Sequence, residues 1–335
     1  MKESIFNSFK ENNNDEFSKL NPYDLDYLLN KIDDYYINYR KKINLPKGLT
    51  FGTEIEIANA NIYEIKRKID LNMNLSYPWN TDFESSVERG SEVNSPIMED
   101  LEFHWEDLKT VCNILNEISE INQQTGSHVH IGAQILGSNK QAWLNFIKIW
   151  STYENVIYRF TNGEYINTRI GALEHAMPIK SLLEEVYKKY KYNSKTLYNM
   201  LATLSNDRYQ AVNFMNVFKI NIDSLKDKNT IEFRTPNGTL DYIIIQNNIN
   251  FFTKLLLYSK EEKFNDDVIE KRRRSPELKN IEYEMYNEIY LSQTLEFVDL
   301  IFDNNLDKIN FLKQYLKSFE KTERLEAKCK KLTSR

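Results

Sequence analysis

The stretch Gly126-Ser127-His128-Val129-His130-Ile131-Gly132 decides how the rest of the chain is read. Successive side chains of a β-strand point to opposite faces, so Val129 and Ile131 fall on one side and His128 and His130 on the other. One face is then core, while the other carries two imidazoles, each with a ring nitrogen to offer at pH 7. The stretch uses two of the chain's four histidines and two of its nine glycines; glycines placed this way mark turns or close backbone approach. A lone HxH pair is also what an ordinary structural strand provides. Its weight here comes from two distant stretches of the same design.

The first is LTFGTEIEIA, residues 49–58, with Phe51, Thr53, Ile55 and Ile57 on one face and Gly52, Glu54, Glu56 and Ala58 on the other. The second is TIEFRTPNGTLD, residues 230–241. There Ile231, Phe233 and Thr235 oppose Glu232 and Arg234, and the turn Pro236-Asn237-Gly238 ends the strand. An antiparallel sheet covered by helices on one side and open on the other produces this pattern. Its open face gathers Glu54, Glu56, His128, His130, Glu232 and Arg234. Carboxylates with an imidazole are ligands for a divalent cation, Mg²⁺ or Mn²⁺ where oxygen dominates. An arginine beside a cation calls for an anion between them, typically phosphate, so the set points to phosphoryl transfer. Two alternatives stay open: a Zn²⁺ or Fe²⁺ hydrolase or oxygenase built on the two histidines and a carboxylate, and an inert protein that binds a nucleotide or peptide.

The remaining chain supplies helices. Residues 1–45 carry a stripe from Leu25 to Tyr39 that predicts an N-terminal helical extension, closed by Pro46 and Gly48. Residues 61–71 form a short amphipathic segment. Tyr77–Met98 is turn-rich, with a short strand around Glu92–Asn94 and with Asp82, Glu84 and Glu92 as its acids of interest. A helix is expected over 99–122, with Cys112 in its core stripe and His104 on its flank. Another follows a cap at Ser138-Asn139 and runs to about Phe160, with Glu154 at the edge of its stripe. A loop holding Arg169, Glu174 and His175 leads to a Lys- and Tyr-rich helix reaching about residue 200, and the lone His175 is not taken as a ligand. Arg208–Phe218 reads as a strand of unassigned faces. After Asp241 a helix is expected, then the basic run Lys271–Arg274 as a solvated loop, then helices around 280–302 and 306–331. The expected division is an extension over 1–45, a catalytic domain over 46–260 and a C-terminal helical region over 261–335.

With 335 residues, 41% of them hydrophobic, the chain can bury a large core. A net charge of −5 argues against nucleic acid or an anionic membrane as partner, and points to small-molecule or peptide substrates; it leaves the oligomeric state open. No apolar run is long enough to span a bilayer, and the opening residues lack the apolar core of a signal peptide. Cys112 and Cys329 form neither a disulfide framework nor a metal spacing. A cytoplasmic location is expected.

Five stretches, in order, resemble those of the amidoligase family, relatives of the glutamine synthetases and glutamate-cysteine ligases. FGTEIE (51–56) resembles the family's opening strand, GSEVNSPI (90–97) its G-x-E-x-x-S-P element and GSHVHIG its G-x-H-V-H strand. RYQAVNFMN (208–216) resembles its R-Y-x-x-x-N segment and TIEFRTPNGTL (230–240) its closing E-F-R strand. The family's Asp-x-Ser-Leu is replaced by Glu84-Ser85-Ser86-Val87, with Asp82 just upstream, so either acid can take that place. The resemblance implies an α+β, glutamine-synthetase-like fold: a curved antiparallel sheet with helices on one face and an ATP- and metal-lined basin on the other. It implies a carboxylate-amine ligase, in which ATP activates a carboxylate as an acyl phosphate and an amine displaces the phosphate to give an amide. Glu54, Glu56, Glu92, His128 and Glu232 would then hold Mg²⁺ or Mn²⁺. Arg234 would hold the phosphoryl group, and His130 would contact phosphate or substrate. Arg208, Asn213 and Asn237 would bind nucleotide or carboxylate.

Overall fold

The computed structural model describes residues 36–162, 172–192, 196–205, 207–218, 229–276 and 289–316. Its centre is a six-stranded, wholly antiparallel, open sheet. The strands are β1 (Phe51–Ile57), β2 (Asn80–Glu84), β3 (Gly90–Asn94), β4 (Ser127–Gly132), β5 (Val212–Asn213) and β6 (Thr230–Phe233), in the spatial order β2-β3-β1-β4-β6-β5. The three alternating stretches are therefore neighbours at its middle. Their apolar residues form one face: Ile55, Val129, Ile131, Ile231 and Phe233 are fully buried.

Three helices cover that face. They are α2 (Glu102–Ile118), α3 (Lys140–Thr161) and α8 (Tyr242–Lys260), and α1 (Ile62–Asp70) lies against α2 and β2. Trp105 of α2 stacks on Phe51 at 5.0 Å, and Phe233 stacks with both Trp150 of α3 (5.6 Å) and Phe252 of α8 (4.1 Å), which also stack on each other at 6.3 Å. Aromatic pairs add about 0.5–1.5 kcal/mol each beyond their burial. A slip of one residue would turn Phe233 out and Glu232 in, so this packing also fixes which way the acids face. α3 starts where its cap predicts: Asn139 Oδ1 accepts from the backbone N–H of Gln141 and Ala142. The buried Cys112 sits in the core as expected.

Eight further elements complete the eleven helices among the described residues: α1, with α4 (Ala172–His175), α5 (Lys180–Tyr190), α6 (Leu197–Leu204), α7 (Met215–Phe218), α9 (Asp266–Arg273), α10 (Ile289–Ile301) and α11 (Asn305–Tyr315). α10 and α11 dock on α3 and α8 partly through buried amides. Asn247 Nδ2 donates to Gln314 Oε1 at 2.7 Å, and Asn155 Nδ2 to Gln293 Oε1 at 3.1 Å.

Several expectations are corrected. Arg208–Phe218 is not one strand: β5 is two residues long, because Asn213 Oδ1 accepts from the backbone N–H of Met215 and turns the chain into α7. Residues 77–98 hold two strands, not one. The helix expected to reach residue 200 is two helices. Residues 36–45 are not helical; Asp100 accepts from the N–H of Ile43 and Leu45, and Gln246 Oε1 from that of Arg40, which ties this segment to the domain. Lys271–Arg274 is no solvated loop but the end of α9, with Arg272 on Glu296 and Arg273 and Arg274 on Glu270. His104 is buried, and its Nδ1 accepts from the Glu99 N–H ahead of α2. Glu154 is fully buried and accepts from three donors. The extension before residue 36, Arg169, Cys329 and the end of the last helix lie outside the described residues.

Candidate active site

The other face of the sheet is polar from edge to edge. In register, Asp82, Glu92 and Glu56 form one row across β2, β3 and β1; Asn80, Asn94, Glu54 and His128 form a second across β2, β3, β1 and β4. His130, Glu232 and Asn213 form a third across β4, β6 and β5. His128 is the hub. Its Nδ1 lies 3.0 Å from Glu54 Oε2 and 3.8 Å from Glu232 Oε1, and its Nε2 lies 3.4 Å from Glu56 Oε1. The second Glu56 oxygen accepts from the Gly126 N–H at 2.6 Å. His128, Glu56 and Glu232 are all at most 4% exposed.

Four carboxylates this close repel one another unless positive charge or protons offset them. Burial pushes the Glu54 carboxyl up, but hydrogen bonds from His128 and His130 outweigh it and hold it well below the usual range. Glu92 lacks such donors: burial and the nearby Glu54 charge push it up to about 7, against the hydrogen bond from Asn94. Arg234 brings a permanent positive charge, its Nη1 donating to Glu232 Oε1 at 2.5 Å. One guanidinium does not balance four acids.

A divalent cation fits this donor set. Glu54, His128 and Glu232 bring ligand atoms within 4.8 Å of one another, and so do Glu56, Glu92 and His128. With Nδ1 of His128 donating to Glu54, its Nε2 turns a lone pair toward the Glu56 carboxylate and makes no hydrogen bond. For the neutral ring, a cation shared by that nitrogen and the acids would relieve the clash. His130 joins neither group; its Nε2 lies 2.9 Å from Glu54 Oε1 and its Nδ1 3.3 Å from Thr230 Oγ1.

The structure thus brings together Glu54, Glu56, Glu92, His128, His130, Glu232, Arg234 and Asn213. Asn213 Nδ2 donates to Glu232 Oε2 at 2.8 Å. Arg208 stands apart, exposed just before β5 and stacked on Tyr209. Asn237 is buried in the turn after β6, its backbone paired with Gly126. Gly238 beside it must lack a side chain, because a Cβ would lie 2.3 Å from Thr125 Oγ1. Of the two acids near β2, Asp82 is the one opposite Glu92, and it accepts from Asn94 at 3.3 Å, whereas Glu84 accepts from the nearby Ser86 N–H. Three contributors escaped the sequence reading: Asn94, Thr230 and the His175 carbonyl, which accepts from Arg234 Nε at 3.4 Å. The first two stand two residues from Glu92 and Glu232, where the strand period already places them on the acid face.

An open antiparallel sheet that holds a buried cluster of acids around a histidine defines an α+β protein with a candidate cation site. The family described as "Putative amidoligase enzyme" matches residues 70–256, more than half of the chain, and the chain belongs to it; this makes it an enzyme of ligase type. β1, with Glu54 and Glu56, precedes the matched region but pairs with β3 and β4 inside it. Among curated proteins no match was found. Among the described residues, no helix is long and apolar enough to cross a membrane.

Proposed function

We propose that this protein is an ATP- and Mg²⁺-dependent carboxylate-amine ligase with a glutamine-synthetase-like fold, working where ATP and Mg²⁺ are plentiful, in the cytoplasm. The observation that carries the reading is the convergence of Glu54, Glu56, Glu92, His128 and Glu232 from four adjacent strands, with Arg234 bound to the last of them. These five residues would hold the cation, which supplies charge neutralisation for the polyphosphate and for the charge that develops in transfer. Arg234 offers a planar, permanently charged fork to the transferring phosphoryl group. A substrate carboxylate oxygen attacks the γ-phosphorus and ADP leaves. The amine then attacks the acyl carbon, loses a proton, and expels phosphate to leave the amide.

The test is chemical capture. With pools of amino acids or peptides as carboxylates, hydroxylamine should yield a hydroxamate in step with ADP release, and EDTA should abolish both. ADP release with a stable phosphoester or phosphoguanidine and no hydroxamate would make the protein a kinase instead. Activity without ATP would favour the hydrolase alternative, which the position of His130 already disfavours, since a two-histidine triad needs both imidazoles in one ligand group.

A further inference from the structure

His130 faces the site, yet neither of its ring nitrogens is directed at open space. Nε2 lies 2.9 Å from Glu54 Oε1, and Nδ1 lies 3.3 Å from Thr230 Oγ1. His130 is 7% exposed. A carboxylate only accepts, so the neutral imidazole beside Glu54 carries its proton on Nε2 and accepts at Nδ1 from the threonine hydroxyl. The carboxylate thus selects the tautomer, and the hydroxyl, free to donate or accept, turns its proton to Nδ1 and holds the ring in place. The opposite oxygen of Glu54 meets His128 Nδ1 at 3.0 Å. A Glu side chain has three rotatable bonds, and an imidazole nitrogen against each of its two oxygens, at 3.0 and 2.9 Å, removes most of that freedom.

We infer that His130 is a positioning residue, which with Thr230 locks the Glu54 carboxylate for cation binding and does not itself touch phosphate or substrate. The inference rests on the cation reading given above and replaces the role that family resemblance implies for this histidine. Thr230 stands on β6 and His130 on β4, so the lock also ties Glu54 to the strand that carries Glu232. Partners that hold metal ligands in place are typically worth 10–100-fold in affinity.

Mn²⁺ binding to the full chain without nucleotide, followed by calorimetry and by the loss of the free-ion electron paramagnetic resonance signal, tests this. His130→Ala should weaken Mn²⁺ binding about 10–100-fold, with a melting temperature close to that of the wild type. Thr230→Val, which keeps the side-chain shape and removes the hydroxyl, should weaken it in the same direction but less, and the double variant should be no worse than His130→Ala. His130→Gln, with an amide that can both donate to Glu54 and accept from Thr230, should recover part of the loss. Unchanged Mn²⁺ affinity in both His130→Ala and Thr230→Val, with only ATP binding or turnover reduced, would overturn the inference and give His130 to the phosphate. If His130→Ala fails to fold, Thr230→Val decides alone. A wild-type chain that binds no Mn²⁺ would remove the cation reading and this inference with it, whereas binding that the variants leave intact removes the inference only.

Discussion

Arg234 is held from two sides, by Glu232 through Nη1 and by the His175 carbonyl through Nε, and the same contacts serve either catalysis or a brace. Substitution by lysine separates them. It keeps the charge but loses the fork, so a guanidinium that grips a phosphoryl group cannot be replaced by it. Arg234→Lys should lower kcat on the order of 10³-fold while the KM for ATP moves little, because the contact tightens in the transition state. Near-normal kcat in steady-state assays, with a lowered melting temperature in Arg234→Ala, would reduce Arg234 to a brace. Glu54 permits a parallel separation. Glu54→Gln should fold, with a modestly lowered melting temperature because its amide nitrogen cannot accept from one of the two histidines, and should turn over poorly because the charge is lost. A loss of stability as large as that from a core truncation, about 2–5 kcal/mol, would mark Glu54 as structural.

The least legible element contact is the one Glu154 makes, because in the sequence it is one acid near an apolar stripe. In the fold it lies fully buried on α3, accepting from Trp150 Nε1 at 2.9 Å and from the N–H groups of Ile179 and Lys180 at 2.7 and 3.0 Å. It thereby caps the start of α5, whose own N-cap position, Ile179, has no capping side chain. Removing it strands three buried donors, at about 1–3 kcal/mol for each. Glu154→Ala should therefore cost on the order of 3 kcal/mol or more in urea unfolding, and Glu154→Gln less; a midpoint shift near zero would mean that water takes over the cap. The central strands were readable because β1, β4 and β6 each have one apolar and one chemical face. β2 was not, because it is an edge strand whose Phe83 is 71% exposed, so no buried face imposes an alternation. β5 was overextended because its end is set by one side-chain turn at Asn213, a signal spread over two residues. The acid cluster was legible as residue types on a face, but the division of labour between His128 and His130 was not. That depends on which residues of β1 and β6 stand opposite each histidine of β4, and register is a property of the assembled sheet.

Across the whole molecule, the same charge logic that organises the site also holds its far side. Lys148 of α3, 1% exposed, reaches Asp266 Oδ1 at 2.5 Å and Glu270 Oε2 at 3.1 Å on α9 and lies over the Tyr187 ring of α5, so one buried ammonium joins three helices. Glu270 also receives Arg273 and Arg274. The hydrogen bonds from Arg273, Lys148 and Arg274 outweigh partial burial and hold its carboxyl down at about 2. An acid whose folded pKa lies below its unfolded value stabilises the fold fully above the unfolded value, about 4.3 for Glu, and the contribution fades as pH falls toward the folded value. Protonation of Glu270 would leave Lys148, Arg273 and Arg274 facing one another with less to balance them. The melting temperature should therefore fall between pH 5 and roughly 2 more steeply in the wild type than in Glu270→Gln, which should start lower at pH 7. Equal acid slopes in the two proteins would show that α9 is held by the burial of Ile269 and not by its charges. Because this clamp lies on the helical side of the sheet, Glu270→Gln should leave Mn²⁺ affinity at pH 7 unchanged.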